Sequence, residues 1–261
     1  MSGSDTGRPV RPASRPLTAL ARHLRSRLFD LAILLLTLGH GIAILAWYGW
    51  RPTPRGARRL LTSWAIAFLW LARHILGIRY HVEGWDQRPV GPALFVANHQ
   101  SMWETIAFWR LVPDIAVVTK RSLFRLPVFG WGMRHAPMIP VDRDRGGPGL
   151  RQLMAETRAA VAEGRSLLIF PEGTRVPVGD VRPFRRGVMG IYRACGVPIV
   201  PVVHNAGLVW ATGLDAKRPG LVTVKLLAPI PAGLEPEVAL AEAEAAIRRE
   251  KDRLPGVAAA T

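Results

Sequence analysis

From residue 80 onward, short and nearly continuous apolar runs alternate with longer stretches in which apolar residues recur every three or four positions. Residues 80–83, 93–97, 115–118, 167–170, 199–203 and 222–227 are of the first kind, the signature of strands covered on both faces. Residues 101–112, 150–162, 188–195 and 236–253 are of the second kind and predict helices. The stretch at 150–162 stops at Gly164, a natural helix terminator, and 101–112 stops before Pro113. Strands alternating with helices predict an α/β fold, a mostly parallel sheet flanked by helices on both faces.

The pattern before residue 80 is different. Residues 1–16 are rich in Arg, Pro, Ser and Gly and predict no packed structure. After Arg22, Arg25 and Arg27 comes an apolar run, 31–50, long enough as a helix to cross a hydrocarbon layer of about 30 Å. Its bulky end, Trp47-Tyr48-Gly49-Trp50, suits a membrane interface and is unlike the small-residue site at which a signal peptide is cut. Arg51-Pro52-Thr53-Pro54-Arg55 breaks the run, and a second, shorter apolar segment, 60–72, closes at Arg73 and His74. If both segments crossed, the arginine-rich turn would lie outside, against the positive-inside tendency. A two-helix hairpin embedded in one leaflet keeps every basic cluster on the same side, and that arrangement is expected. The chain thus divides into a basic, irregular juxtamembrane segment (1–27), a membrane-anchoring hairpin (28–78), a catalytic domain (79–255) and a tail (256–261).

Charge narrows the partners. Thirty-five Lys and Arg against 19 Asp and Glu leave a formal charge of +16 on 261 residues, which favours anionic lipid, nucleic acid or a phosphorylated or acidic substrate. No basic stretch carries the interleaved aromatics of a nucleic-acid reader, so nucleic acid is not an expected partner. The single cysteine, Cys195, excludes an intrachain disulfide. Neither a twin-cysteine pattern nor His-Glu-x-x-His is present, and no metal or cofactor is expected.

Two strand ends carry the candidate chemistry. Asn98-His99-Gln100-Ser101 follows the run at 93–97, with Glu104 a helical turn further on. An imidazole that titrates near neutral pH, oriented by a carboxylate on its second nitrogen, is suited to take a proton from a substrate hydroxyl. The same residues also fit a capping box, Ser101 as N-cap and Glu104 three residues later, in which Glu104 serves only the backbone. At the second strand end stands Phe170-Pro171-Glu172-Gly173-Thr174-Arg175. Arg175 offers a planar fork for a phosphate, and Lys120, closing the run at 115–118, a compact charge. Phe129-Gly130-Trp131-Gly132 sets small residues between large rings; with Met138 and Ile139 it is a candidate wall for an acyl-chain tunnel. His81, His135 and His204 have no acid at a telling spacing and read as structural or exposed.

His-x4-acid followed by Glu-Gly-Thr-Arg resembles the glycerolipid acyltransferases, most closely the 1-acylglycerol-3-phosphate (lysophosphatidate) acyltransferases. The likeness covers residues 82–229 in four ordered blocks: Asn98–Ser101 with Glu104, Phe129–Arg134 through Ile139 to Arg143, Pro171–Arg175, and Val197–Pro201. One departure is Glu104, where most members carry Asp. The resemblance implies a membrane-associated enzyme on the cytoplasmic face that moves an acyl group from acyl-CoA or acyl carrier protein to the sn-2 hydroxyl of a lysophospholipid. His99 would be the base and Glu104 its orienting acid; Glu172, Gly173 and Thr174 would position the acceptor, with Arg175 and Lys120 on its phosphate. A thioester is already activated, so no Ser or Cys nucleophile is required, and Gly-x-Ser-x-Gly is indeed absent. Two readings compete: the same chemistry on another lysolipid such as lyso-ornithine lipid, and a membrane-tethered protein that binds anionic lipid or nucleic acid without catalysis.

Overall fold

Leu94–Ala97 is the most deeply buried strand, all four residues inaccessible, because alternate side chains enter two different cores. Leu94 and Val96 pack on one side with Leu167, Ile169, Ile191 and Ile199; Phe95 and Ala97 pack on the other with Phe108, Val117, Leu168 and Val200. A strand with water on neither face has no polar alternation, which is why these segments read as continuous apolar runs.

The computed structural model describes residues 16–43, 46, 53–126, 128–136, 138–141, 146–211 and 217–257. In chain order these form α1 (Pro16–Ala43), α2 (Pro54–Leu71), β1 (Ile78–Glu83), β2 (Leu94–Ala97), α3 (Trp103–Leu111), β3 (Ala116–Lys120), α4 (Phe129–His135) and β4 (Ile139–Val141). They continue with α5 (Gly146–Ala162), β5 (Leu167–Ile169), α6 (Gly187–Cys195), β6 (Ile199–His204), α7 (Ala206–Val209), β7 (Gly220–Leu226) and α8 (Pro236–Lys251). The seven strands make one sheet in the order β1-β7-β6-β2-β5-β3-β4. Five run parallel; β6 and β7 pair antiparallel and β1 pairs parallel to β7. The mixed α/β architecture and every strand expected from the pattern are present. The added strand, β4, is a three-residue edge segment too short to leave a pattern.

The N-terminal helices differ from expectation in their bounds. α1 begins at Pro16, so Arg22, Arg25 and Arg27, placed in an irregular segment, lie within a helix. The end of the apolar run and the start of the arginine-rich break, residues 44–45 and 47–52, lie outside the described residues. Thr53 caps α2, its hydroxyl accepting from the Gly56 N–H at 3.1 Å, with Pro54 at the first helical position. Residues 20–43 are long and apolar enough to cross a membrane by length and composition. Both helices dock on the α/β domain through an aromatic cluster. Phe29 of α1 meets Phe68 of α2 edge-on at 5.6 Å, and Phe68 stacks on Trp210 at 5.7 Å. Beside it Asp30 pairs with the buried ammonium of Lys217, which also lies over the Trp210 ring.

Candidate active site

The C-terminal ends of parallel strands carry the site, as the two motifs require. At the end of β2, the His99 Nδ1 lies 2.8 Å from Glu104 Oε1. With the proton on Nδ1 donated to the carboxylate, Nε2 is left as a base. The same Oε1 accepts the N–H groups of Gln100 (2.8 Å) and Ser101 (2.7 Å). The two sequence readings of Glu104 are therefore both present: one oxygen serves the backbone of the turn and the imidazole together. The capping box itself is incomplete, because the Ser101 hydroxyl accepts from the Trp103 N–H, two residues on, and the helix starts from Met102.

Glu104 is fully buried. Burial alone would push its carboxyl upward, but His204, His99 and the Ser101 N–H together hold it below the ordinary carboxylate range. His204 is a residue whose spacing gave no signal. It stands 106 positions from Asn98, is wholly buried, and places Nε2 3.9 Å from Glu104 Oε1. Its Nε2 donates to the Asn98 carbonyl at 2.6 Å and its Nδ1 accepts the Ala206 N–H at 3.3 Å. That pattern is the neutral, Nε2-protonated tautomer, and burial lowers the imidazole's pKa to the same effect. Asn98 completes the clamp: its side chain donates to the His204 carbonyl and accepts the His204 N–H. It thereby extends the β2–β6 ladder beyond Ala97 and Val202, where the paired residues end.

The second motif locks onto the first. Glu172 is buried, and its Oε2 accepts the His99 N–H at 2.6 Å, while the His99 carbonyl accepts the Val176 N–H at 2.7 Å. Burial pushes the Glu172 carboxyl up to about 7, against the His99 N–H, Lys251 and Arg182, which lower it. Phe170 stacks on the imidazole at 4.3 Å. Gly173 adopts φ +72, which strains any other residue, and a Cβ there would stand 2.3 Å from the Arg185 Nε and displace that side chain. Thr174 and Arg175 are exposed at the turn's end.

Arg175 stands on the rim of a cavity of about 480 Å³. Met102 and Thr105, beside His99, line it, and its walls are apolar: Ile33 and Phe29 of α1, Trp64 and Phe68 of α2, Ile106 and Trp109 of α3, and Met138. Of the residues expected to form a tunnel, Met138 alone among those described lies here. Gly130 instead lets α4 approach the preceding turn, since a Cβ would meet the Phe124 carbonyl oxygen at 2.2 Å. Trp131 stacks on His135, Ile139 belongs to the opposite core, and the Phe129 side chain lies outside the described residues. Lys120 ends β3 exposed, in line with Val118, which faces α5 and α6; Val117 and Thr119, of opposite parity, line the cavity. Lys120 and Arg175 are thus presented from opposite faces of the sheet. No group of His, Cys, Asp and Glu able to hold a metal occurs among the described residues.

The chain is similar to known acyltransferases over much of its α/β domain. Residues 79–205 match the family described as Acyltransferase. A 1-acyl-sn-glycerol-3-phosphate acyltransferase of Pseudomonas aeruginosa is 36% identical over 64% of this chain and 65% of its own length. One from Cocos nucifera is 32% identical over 60% of this chain and 51% of its own. The chain therefore spans between about half and just under two thirds of these relatives. The crystal structure of the 1-acyl-sn-glycerophosphate acyltransferase PlsC from Thermotoga maritima superposes with a TM-score of 0.64 at 24% identity, covering 87% of this chain and 98% of that one, a likeness of fold.

Proposed function

We propose that this chain, whose residues 79–205 match the family described as Acyltransferase, is a member of that family and transfers a fatty acyl group from a thioester to the sn-2 hydroxyl of 1-acylglycerol-3-phosphate, giving phosphatidate. The observation that carries the proposal is the half-buried His99 paired with buried Glu104 at 2.8 Å, beside an apolar cavity rimmed by Arg175. The acceptor's acyl chain occupies the cavity and its phosphate meets the Arg175 guanidinium, with Lys120 adding charge from across the strand ends. His99 Nε2 takes the hydroxyl proton as the oxygen bonds to the thioester carbonyl carbon. Glu104 steadies the imidazolium, and general-base assistance of this kind by His99 is worth about 10²–10⁴ in rate. The tetrahedral adduct then expels thiolate, the carbon–sulfur bond breaks, and the imidazolium returns the proton to sulfur. No acyl-enzyme forms. The role of Glu172 is to hold the His99 backbone, through Oε2, and only through it the acceptor hydroxyl. The donor is acyl-CoA or acyl carrier protein, both anionic and suited to a chain of charge +16.

The hairpin reading of α1 and α2 has its support in α1's outer face. Leu20, Leu24, Leu28, Leu31, Leu35, Leu38 and Ile42 are exposed along one stripe, while Phe29 and Ile33 face inward. Such a helix lies in one leaflet with the catalytic domain on the cytoplasmic face and the cavity opening beside the acyl chains. His99→Ala tests the proposal: phosphatidate formation by the purified protein is lost while its fold and membrane binding persist. Substantial turnover in that variant refutes the base; equal turnover on a lysolipid lacking phosphate refutes the acceptor.

A further inference from the structure

An opening of about 620 Å³ lies apart from the catalytic cavity, between the end of α2, the start of β1 and α3. Its place in the sheet follows from topology. Because β6 and β7 are antiparallel while β1 and β7 are parallel, β1 and β7 run against the other five strands. Their N-terminal ends, with Arg79 and Leu221, therefore share the end of the sheet at which β2 delivers His99. Arg73, Arg79 and Arg110 line the opening, all three exposed and without an ion pair or side-chain hydrogen bond among the described residues. No carboxylate lines it. Its remaining walls include side chains normally kept from water: Ile66 is 47% exposed, Trp70 58% and Leu221 49%. Ile66 and Trp70 lie on the outward stripe of α2, next to the helix whose leucine row faces out.

Three unpaired guanidiniums over exposed apolar walls match one chemistry, an anion carried on a hydrocarbon body. We propose that this groove is a discrete binding site for the phosphate-bearing head of an anionic phospholipid, separate from the cavity at Arg175. The guanidiniums take the phosphate oxygens in forked hydrogen bonds, and Ile66, Trp70 and Leu221 take the glycerol and first methylenes. A zwitterionic choline head brings a cation that the three arginines repel. A soluble acidic protein would leave the apolar walls uncovered. The site does not depend on His99 acting as a base. Its effect is to seat the catalytic end of the sheet against anionic bilayer surface.

The test uses the full-length protein and monomeric dihexanoyl-phosphatidylglycerol, followed by tryptophan fluorescence with Trp70 as reporter. A saturable change is expected that Trp70→Phe removes and that dihexanoyl-phosphatidylcholine does not produce. The triple variant Arg73→Gln, Arg79→Gln, Arg110→Gln weakens it on the order of 100-fold, three surface arginines each contributing about tenfold or less. Arg151→Gln, Arg158→Gln, Arg193→Gln removes equal charge from α5 and α6, which pack in the core on the other face of the sheet, and leaves binding unchanged within about twofold, since exposed charges there are screened. Equal weakening by the two triple variants, an unaltered signal in Trp70→Phe, or displacement by equimolar inorganic phosphate would overturn the proposal. The exposed arginines carry no packing load, so the variants fold; a near-wild-type melting temperature confirms it.

Discussion

Replacing Glu172 by Gln separates what its carboxyl does for the turn from what its charge does to the fold. The carboxyl is 5% exposed, accepts the His99 N–H, and is pushed up to about 7 from an ordinary 4.5, chiefly by burial. An acid with a raised folded pKa resists ionisation in the native state. Below pH 4.5 it is protonated in both states and costs nothing. Between pH 4.5 and about 7 the unfolded chain ionises and the folded one does not, so stability falls; above 7 the loss is complete. The interval, 7 − 4.5 = 2.5, corresponds to about 3 kcal/mol at about 1.4 kcal/mol for each pH unit. Gln keeps an oxygen for the His99 N–H and removes the charge. Glu172→Gln is therefore expected to match the wild type at pH 4.5 and to exceed it at pH 8 by about 3 kcal/mol, or roughly 6–12 °C in melting temperature for a domain of this size. Differential scanning fluorimetry in detergent at both pH values measures it, because the other titrating groups cancel in the difference. A melting difference that is the same at both pH values would refute the reasoning, as would a variant less stable at pH 8.

Three other outcomes follow from the same geometry. Glu104→Gln loses the charge opposite the His99 imidazolium while keeping an acceptor for the turn, so kcat/KM for thioester consumption should fall about 10- to 100-fold, the worth of one charge-assisted hydrogen bond; an unchanged rate would remove Glu104 from the mechanism. His204→Leu strands the buried Asn98 carbonyl and Ala206 N–H, and should lower unfolding free energy by roughly 2–6 kcal/mol, read by thermal melting, at about 1–3 kcal/mol for each orphaned group. Leu28→Ser with Leu35→Ser, at positions 56% and 60% exposed, should weaken flotation with vesicles by about 2–3 kcal/mol while leaving the melting temperature in detergent nearly unchanged, because half-exposed leucines contribute to a membrane contact and little to the core.

Local rules carried the parts of this protein that are local. Strands buried on both faces are apolar at every position, so β2, β5 and β6 were legible as runs. His99 and Glu104 are separated by one helical turn, so their meeting is a matter of short-range geometry. Four features depended on chain segments that only the assembled fold brings together. The parallel pairing of β6 beside β2 placed His204 behind Glu104, across 106 positions from Asn98. The turn of the third block brought Glu172 onto the His99 N–H, a backbone partner that its spacing from His99 did not signal. Side-chain parity set Lys120 and Arg175 on opposite faces, and the docking of α1 and α2 supplied cavity walls expected of the glycine-rich second block. Periodicity records whether a residue is buried. Which residue it is buried against is settled by packing between distant segments, where shape and buried hydrogen bonds select one arrangement.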